Sequence, residues 1–226
     1  MEETVSGVQC DAFQVKDCAL ITRMAGISSV MNLRELRERL AVCPLESLYH
    51  HFCETQIRPS FDDPEFRNDF AVWASRSLRD RVLAERFGIL NPYTFDNLEE
   101  LRERLVEIAD ERGSELPNAV WHPASEEFRF MRAATVIFET GVELTSLKEL
   151  KQAIPSMSQS SVYYHFVEAR RRTEGHLDDF RFWLQELPEE TQSFEQGLAG
   201  IDFYFLNLRE LKRELVGLCM LEEVDS

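Results

Sequence analysis

The chain has 226 residues, 44% of them hydrophobic, which is enough to bury a core and excludes a disordered protein. Its 25 basic and 41 acidic residues give a net charge of −16, which would repel nucleic acid and anionic membranes. The N-terminal sequence MEETVSG lacks a signal peptide's apolar stretch, and no apolar run reaches the roughly 20 residues of a membrane helix. We therefore expect a cytoplasmic globular protein.

The segments that lead into the helical part of each half have mixed signals. FQVKDCALITRMAG occupies 13–26, and the related FRFMRAATVIFETG occupies 128–141. The alternation of Phe128 and Phe130 and a run of β-branched residues suit a strand. Because neither segment has an obvious partner strand nearby in the sequence, we expect both to be mostly helical.

Sequence blocks recur in the same order, which indicates a tandem duplication. SLYHHFCE at 47–54 shares five of eight positions with SVYYHFVE at 161–168. FDNLEELRERL at 95–105 shares six of eleven positions with FLNLRELKREL at 205–215. Two homologous halves follow from this pattern.

The duplication divides the chain into two repeats and a linker. NDFAVWA at 68–74 matches DDFRFWL at 178–184, while the stretch before Phe128 is rich in Gly, Pro and polar residues without a period. We predict a first helical repeat at 9–112, a linker at 113–125 and a second helical repeat at 126–220. We expect the two halves to pack about a pseudo-twofold axis, because short halves gain most by sharing apolar surface.

Four positions carry the signature of a capped amphipathic helix. A polar side chain that can accept from a backbone N–H is followed three residues later by Glu, with leucines at helical spacing behind it. The four pairs are Asn32/Glu35, Asn97/Glu100, Ser146/Glu149 and Asn207/Glu210. With the lead-in segments taken as helical, the predicted fold class is all-α.

Motifs of common enzymes are missing from the sequence. It contains no GxGxxG, GxxxxGK[ST], HExxH or GxSxG pattern. Its five cysteines form no Cys-x-x-Cys pair, which is typical of a reducing compartment rather than of a disulfide or zinc framework. The sequence therefore leans towards a non-enzymatic protein without deciding the point.

One duplicated set of polar side chains has metal-ligand chemistry. Each repeat has a His-x-x-Glu pair on one helix face, followed by an acid in the NDF-type block, and imidazole and carboxylate suit iron, zinc or manganese. The other interpretation is a buried imidazole hydrogen-bonded to a carboxylate. No cofactor is predicted, and a metal ion is kept as the alternative. The candidate ligands are His51, Glu54, Asp69, His165, Glu168 and Asp179.

Three adjacent arginines, Arg170, Arg171 and Arg172, stand out in so acidic a chain. The matching stretch of the first repeat holds a single basic residue, Arg58. Guanidinium groups suit phosphate or carboxylate, so these arginines are a candidate anion site. They could equally serve a helix C-terminus or face an acidic protein surface.

The repeated blocks also resemble a known family. NLRELRERL, SLYHHFCE, NDFAVWA, SVYYHFVEARRR and DDFRFWL lie within Phe13 to Leu215, and in this order they resemble an uncharacterised prokaryotic family, domain of unknown function 5752. The resemblance implies an all-helical cytoplasmic protein of this length. It carries no assigned activity and no catalytic residue.

Two functional hypotheses follow. The first is a non-enzymatic protein-interaction or regulatory module, whose partner is another protein or a second copy of the chain. The alternative is a metal- or anion-binding helical protein, related to sugar phosphates, with its site between the two halves. The alternative requires His51 and His165 to converge on one cavity.

Overall fold

The structure, a computed structural model, forms two compact units. It describes residues 11–57, 65–118, 120–188 and 190–221, with the side chains at 56, 174 and 221 left aside. The N-unit is Leu20–Thr135, and the C-unit combines Met1–Ala19 with Val136–Ser226.

The N-unit is built on the helices of the first repeat. They are α1 (Leu33–Leu40), α2 (Leu45–Phe52), α3 (Asp69–Arg76), α4 (Arg81–Gly88) and α5 (Leu98–Glu115). Their apolar faces bury a core that includes Leu36, Phe52, Phe70, Trp73 and Leu105. The predicted aromatic and leucine stripes are therefore packing residues here.

The C-unit repeats this order with helices of equal or shorter length. They are α6 (Leu147–Ala153), α7 (Gln159–Val162), α8 (Asp179–Leu184), α9 (Gln192–Ala199) and α10 (Leu208–Leu221). A π-helical turn at Tyr163–Val167 follows α7 directly, where the first repeat continues as the regular helix α2. The buried side chains include Tyr163, Phe166 and Phe180.

The four predicted helix caps are confirmed. Each cap side chain accepts from the backbone N–H three residues later, at 2.9–3.3 Å. At Asn207, the carboxylate of Glu210 also accepts a hydrogen bond from the cap residue's own N–H, at 2.8 Å. At the other three caps the carboxylate accepts from the residue before the cap. In all four, the cap side chain satisfies a backbone donor that the first helical turn leaves without an intrahelical partner.

The prediction of an all-α fold is wrong because the lead-in segments are strands. Phe13–Met24 forms β1 and Met131–Leu144 forms β2, and the two pair in a two-stranded antiparallel sheet, which makes the chain α/β. We expected helices at 13–26 and 128–141 because no partner strand lay nearby in sequence. Each segment is in fact the partner of the other.

Each strand passes from one unit to the other along its length. β1 begins in the C-unit and crosses after Ala19, while β2 begins in the N-unit and crosses after Thr135. The first segment of each sequence repeat therefore belongs to the compact unit formed by the helices of the other repeat.

Two further findings concern the chain as described. Over the stretches that the structure describes, no helix combines the length and apolar character needed to cross a bilayer. Cys18, Cys43, Cys53 and Cys219 are buried, and Cys10 lies outside the described residues. Burial raises the pKa of the Cys43 thiol to about 11, so it stays protonated near neutral pH.

Candidate functional site

His51 lies in the last turn of α2 and is buried against β2 in the N-unit. Its Nδ1 lies 2.7 Å from a carboxylate oxygen of Asp69, the first residue of α3. Its Nε2 accepts from the backbone N–H of Met131 at 2.9 Å. Because the amide can only donate, His51 is a neutral imidazole that carries its proton on Nδ1. Burial also lowers the pKa of His51, which favours the neutral ring.

His165 has the same contacts in the C-unit. Its Nδ1 lies 2.8 Å from a carboxylate oxygen of Asp179, at the start of α8. Its Nε2 accepts from the backbone N–H of Lys16 in β1 at 2.8 Å. The same tautomer follows, and in each unit the histidine–aspartate pair holds a strand.

A serine and a tryptophan in each unit also bind main-chain oxygens of the same segment. Ser47 and Ser161 donate to the carbonyls of Met131 and Lys16, both at 2.7 Å. The indole N–H groups of Trp73 and Trp183 donate to the carbonyls of Glu126 and Asp11 at 2.8 and 2.9 Å. Sequence reasoning identified the histidines and tryptophans but missed these main-chain partners, because they lie in the other repeat.

One aromatic side chain of each docked segment packs on the histidine. The rings of Phe128 and His51 have centroids 4.8 Å apart, and those of Phe13 and His165 are also 4.8 Å apart. Phe128 also contacts a Phe and a Trp of α3, and Phe13 contacts a Phe and a Trp of α8. The equal offset of these residues in the two lead-in segments was the sequence signal for this correspondence.

The remaining metal candidates have protein partners of other kinds. Glu54 is buried and lies 2.9 Å from Nδ1 of the neighbouring His50, rather than beside His51. Glu168 and Asp179 both accept from Arg172, whose guanidinium covers the Tyr164 ring at 4.0 Å. Within the described ranges, no three or more His, Cys, Asp or Glu side chains are grouped to hold a metal ion.

The arginine candidates differ from one another. Arg170 reaches the fully buried carboxylate of Asp178 at 3.3 Å and lies over the Phe203 ring at 4.4 Å. Burial raises the pKa of Asp178, and the charge of Arg170 opposes that rise. Arg171 is half exposed and lies 3.8 Å from Glu168. All three candidates, Arg170, Arg171 and Arg172, thus pair with acids of their own unit.

A surface that the sequence analysis missed lies on β2 of the C-unit. Val136, Ile137, Phe138 and Val142 are 44–49% exposed. Successive strand residues point to opposite faces, so Ile137 and Phe138 expose apolar groups on both faces of the ribbon. The run of β-branched residues was the sequence signal for this strand. The exposure of the strand was not predicted, because it depends on whether a helix covers the strand, and none of the described helices does.

The equivalent part of β1, in the N-unit, is less apolar. Ile21 is exposed there as well, but Thr22 and Arg23 stand where β2 has Ile137 and Phe138. The two repeats have therefore diverged at this surface while keeping the strand contacts of the histidines.

Comparisons with known proteins agree with the family resemblance. The model of a family of unknown function, DUF5752, matches residues 10–220. The chain belongs to this family. OrfY from Thermoproteus tenax is a similar solved structure, with a TM-score of 0.75 and 26% identity over 94% of this chain and 96% of that one. No curated protein matches the chain. Membership confirms the resemblance and brings no assigned activity.

Proposed function

We propose that the protein is a protein-interaction module that contacts its partner through the exposed apolar stretch of β2. The observation that carries this proposal is the exposure of Ile137 and Phe138 on opposite faces of a two-stranded ribbon. Exposed apolar patches on folded proteins commonly mark interaction surfaces, and a two-stranded ribbon has little of its own to cover them.

Charge defines the chemistry of the partner. Glu139 and Glu143 are exposed within the same strand, and the chain carries a net charge of −16. Two copies would repel each other over this surface, whereas a protein with an apolar patch bordered by Lys or Arg is attracted. The partner we propose is therefore a different protein with a basic rim around an apolar contact.

The histidine–aspartate pairs are weaker candidates than this surface, because their ring nitrogens already have partners within the chain. In each pair Nδ1 faces a carboxylate, and Nε2 accepts from a strand amide. A histidine with both nitrogens engaged in this way holds structure, and its lone pair is taken by a protein donor.

Capture from native lysate with matched variants tests the proposal. In the test variant, Ile137→Thr and Phe138→Arg give β2 the residues that β1 carries at the equivalent positions. The control is Ile21→Thr, which removes an exposed apolar side chain from β1. We expect the wild type and the control to retain the same protein, with salt-sensitive binding, and the double variant to retain about tenfold less or none, as loss of a central apolar contact predicts.

Two outcomes would contradict the proposal. Equal retention of the protein by all three baits would place the contact elsewhere. A wild-type dimer in sedimentation analysis that the double variant converts to a monomer would make a second copy, not a basic partner, the occupant of this surface.

A further inference from the structure

Two segments of the chain occupy equivalent places in the two units. Residues 11–19 of the first repeat lie in the C-unit with the helices of the second repeat. Residues 126–135 of the second repeat lie in the N-unit with the helices of the first repeat. Each repeat therefore provides a segment that the helices of the other repeat bind.

The hydrogen bonds that the two segments have in common involve their main chains. Segment 11–19 has two more through side chains, because Asp17 accepts from Ser158 and Cys18 donates to the carbonyl of Ser160. Counting from Asp11 or Glu126 as the first position, a tryptophan donates to the first carbonyl. At the sixth position a histidine accepts from the N–H and a serine donates to the C=O. Corresponding distances agree within 0.1 Å between the units. Main-chain contacts provide affinity without reading sequence.

The two segments share a buried side chain at two positions. The third position is a buried phenylalanine in both, Phe13 and Phe128. The fifth is a buried apolar residue that differs in size, Val15 in one segment and Phe130 in the other. The fourth position is exposed in both segments, and the sixth is Lys16 in one and Met131 in the other. The shared pattern is Phe-x-apolar in an extended backbone.

The protein groups that contact the segment are held in place by the helices. Asp69 and Asp179 fix the histidine tautomer, so Nε2 presents a lone pair towards the segment. The serines lie in α2 and α7, and the tryptophans in α3 and α8. Donors and acceptors on rigid elements lose little freedom when they bind.

We propose that the helices of each unit form a binding site for an extended peptide of the pattern Phe-x-apolar, which the other repeat fills in the folded chain. Because the contacts that the two segments share are main-chain bonds and one phenylalanine, the site accepts the segment of either repeat. A free peptide of this class binds when the attached segment is withdrawn.

A full-length variant with one vacated site tests this inference. Phe13→Asp puts a carboxylate where Phe13 packs against His165, Phe180 and Trp183, which expels the segment because an unpaired buried charge is costly. The probe is a fluorescent synthetic peptide of residues 126–135, EEFRFMRAAT, followed by anisotropy. The control protein is Gln14→Asp, at the exposed fourth position.

We expect the Phe13→Asp protein to bind the peptide saturably, although this peptide comes from the other repeat. The wild type and Gln14→Asp should bind about a hundredfold more weakly, because their attached segment competes at an effective concentration on the order of millimolar. A peptide with Phe128→Asp should not bind. A folded Phe13→Asp protein without saturable binding, or with equal affinity for both peptides, would overturn the proposal.

If the Phe13→Asp protein does not fold, a second measurement tests the proposal on a chain that is otherwise wild type. A protease site inserted after Glu115 allows the otherwise wild-type chain to be cut between the repeats. We expect the two pieces to co-elute in native gel filtration, because each holds the other's segment. Separation of the pieces, or co-elution that persists in a Phe13→Asp, Phe128→Asp double variant, would contradict the assigned binding sites.

Discussion

The two units hold the same histidine–aspartate pair under a docked strand, but they surround it differently. In the N-unit, His51 belongs to a regular helix, and its neighbour His50 lies 2.9 Å from the buried carboxylate of Glu54. In the C-unit, His165 lies on a π-helical turn, and Tyr164 replaces the second histidine. There the guanidinium of Arg172 covers Tyr164 and joins Glu168 to Asp179.

The difference separates what the fold requires from what each repeat has changed. The histidine and serine atoms that contact the main chain of the strand are the same in both units and have nearly equal distances. The charged groups around the histidine–aspartate pair differ between the two units. The conserved contacts of the duplication therefore explain strand docking, whereas the changed groups alter how strongly each aspartate depends on its histidine.

The largest expected effect is the loss of either histidine. His51→Ala removes an imidazole from a carboxylate and an amide that are both buried, and we expect a loss of about 3 kcal/mol in the free energy of unfolding. His165→Ala should cost less, about 2 kcal/mol, because Arg172 still pairs with Asp179, which is also more exposed than Asp69. Chemical denaturation followed by far-UV circular dichroism measures both.

The control for these variants is His122→Ala, since His122 is exposed and should change the free energy of unfolding by less than about 0.5 kcal/mol. A cost for His165→Ala that equals or exceeds the cost for His51→Ala would show that Arg172 does not support Asp179 as described.

A pH dependence is expected from the N-unit. Burial holds the pKa of His51 below 6.5, while Asp69 and Glu54 oppose the decrease and His50 adds to it. Below about pH 6.5 the unfolded chain binds a proton at this residue that the folded chain does not, so stability falls with decreasing pH, by up to about 1.4 kcal/mol per pH unit. His51→Gln should lose this component; an unchanged slope in the variant would assign it to another group.

A smaller and equal effect is expected from the two serines. Ser47→Ala and Ser161→Ala each remove one bond of 2.7 Å to a strand carbonyl, and each should cost about 1 kcal/mol in the free energy of unfolding. The relevant comparison is between the two variants, because this contact is common to both units. Costs that differ by more than about 1 kcal/mol would argue against equivalent strand docking.

The smallest expected effect concerns the exposed stretch of β2. Exchange of Ile137 and Phe138 for the Thr and Arg of β1 alters groups that are half exposed, so the free energy of unfolding should change by about 0.5 kcal/mol or less. Thermal and chemical denaturation of the double variant checks this. A large destabilisation would mean that these side chains support the fold rather than a partner contact.

Local signals predicted the helices well, because a cap and a leucine stripe act within one or two turns. Asn97 and Leu101 illustrate this, since both occupy the predicted positions. The strands could not be recognised in the same way, because β1 finds its partner more than a hundred residues later in the sequence. The β-branched run at Thr135, Val136 and Ile137 lies in β2 and was the correct indication of the strand. Phe128 and Phe130 lie just before β2.

The candidate site was predicted in part. The residue types and the pairing of His51 with Asp69 follow from the duplicated blocks, but the assignment of Glu54 to the same group does not hold, because it contacts His50. The atom at the other ring nitrogen is a main-chain amide. Every residue except proline has such an amide, so residue type alone does not mark the one that docks.

The most direct test of the account is the tautomer of the two histidines, measured by long-range proton–nitrogen NMR correlation on the full-length protein. We predict that both rings carry a proton on Nδ1 and have an Nε2 that accepts a hydrogen bond. A protonated Nε2 in either ring would contradict the account, because that nitrogen could not then accept the strand amide on which the docking of both segments rests.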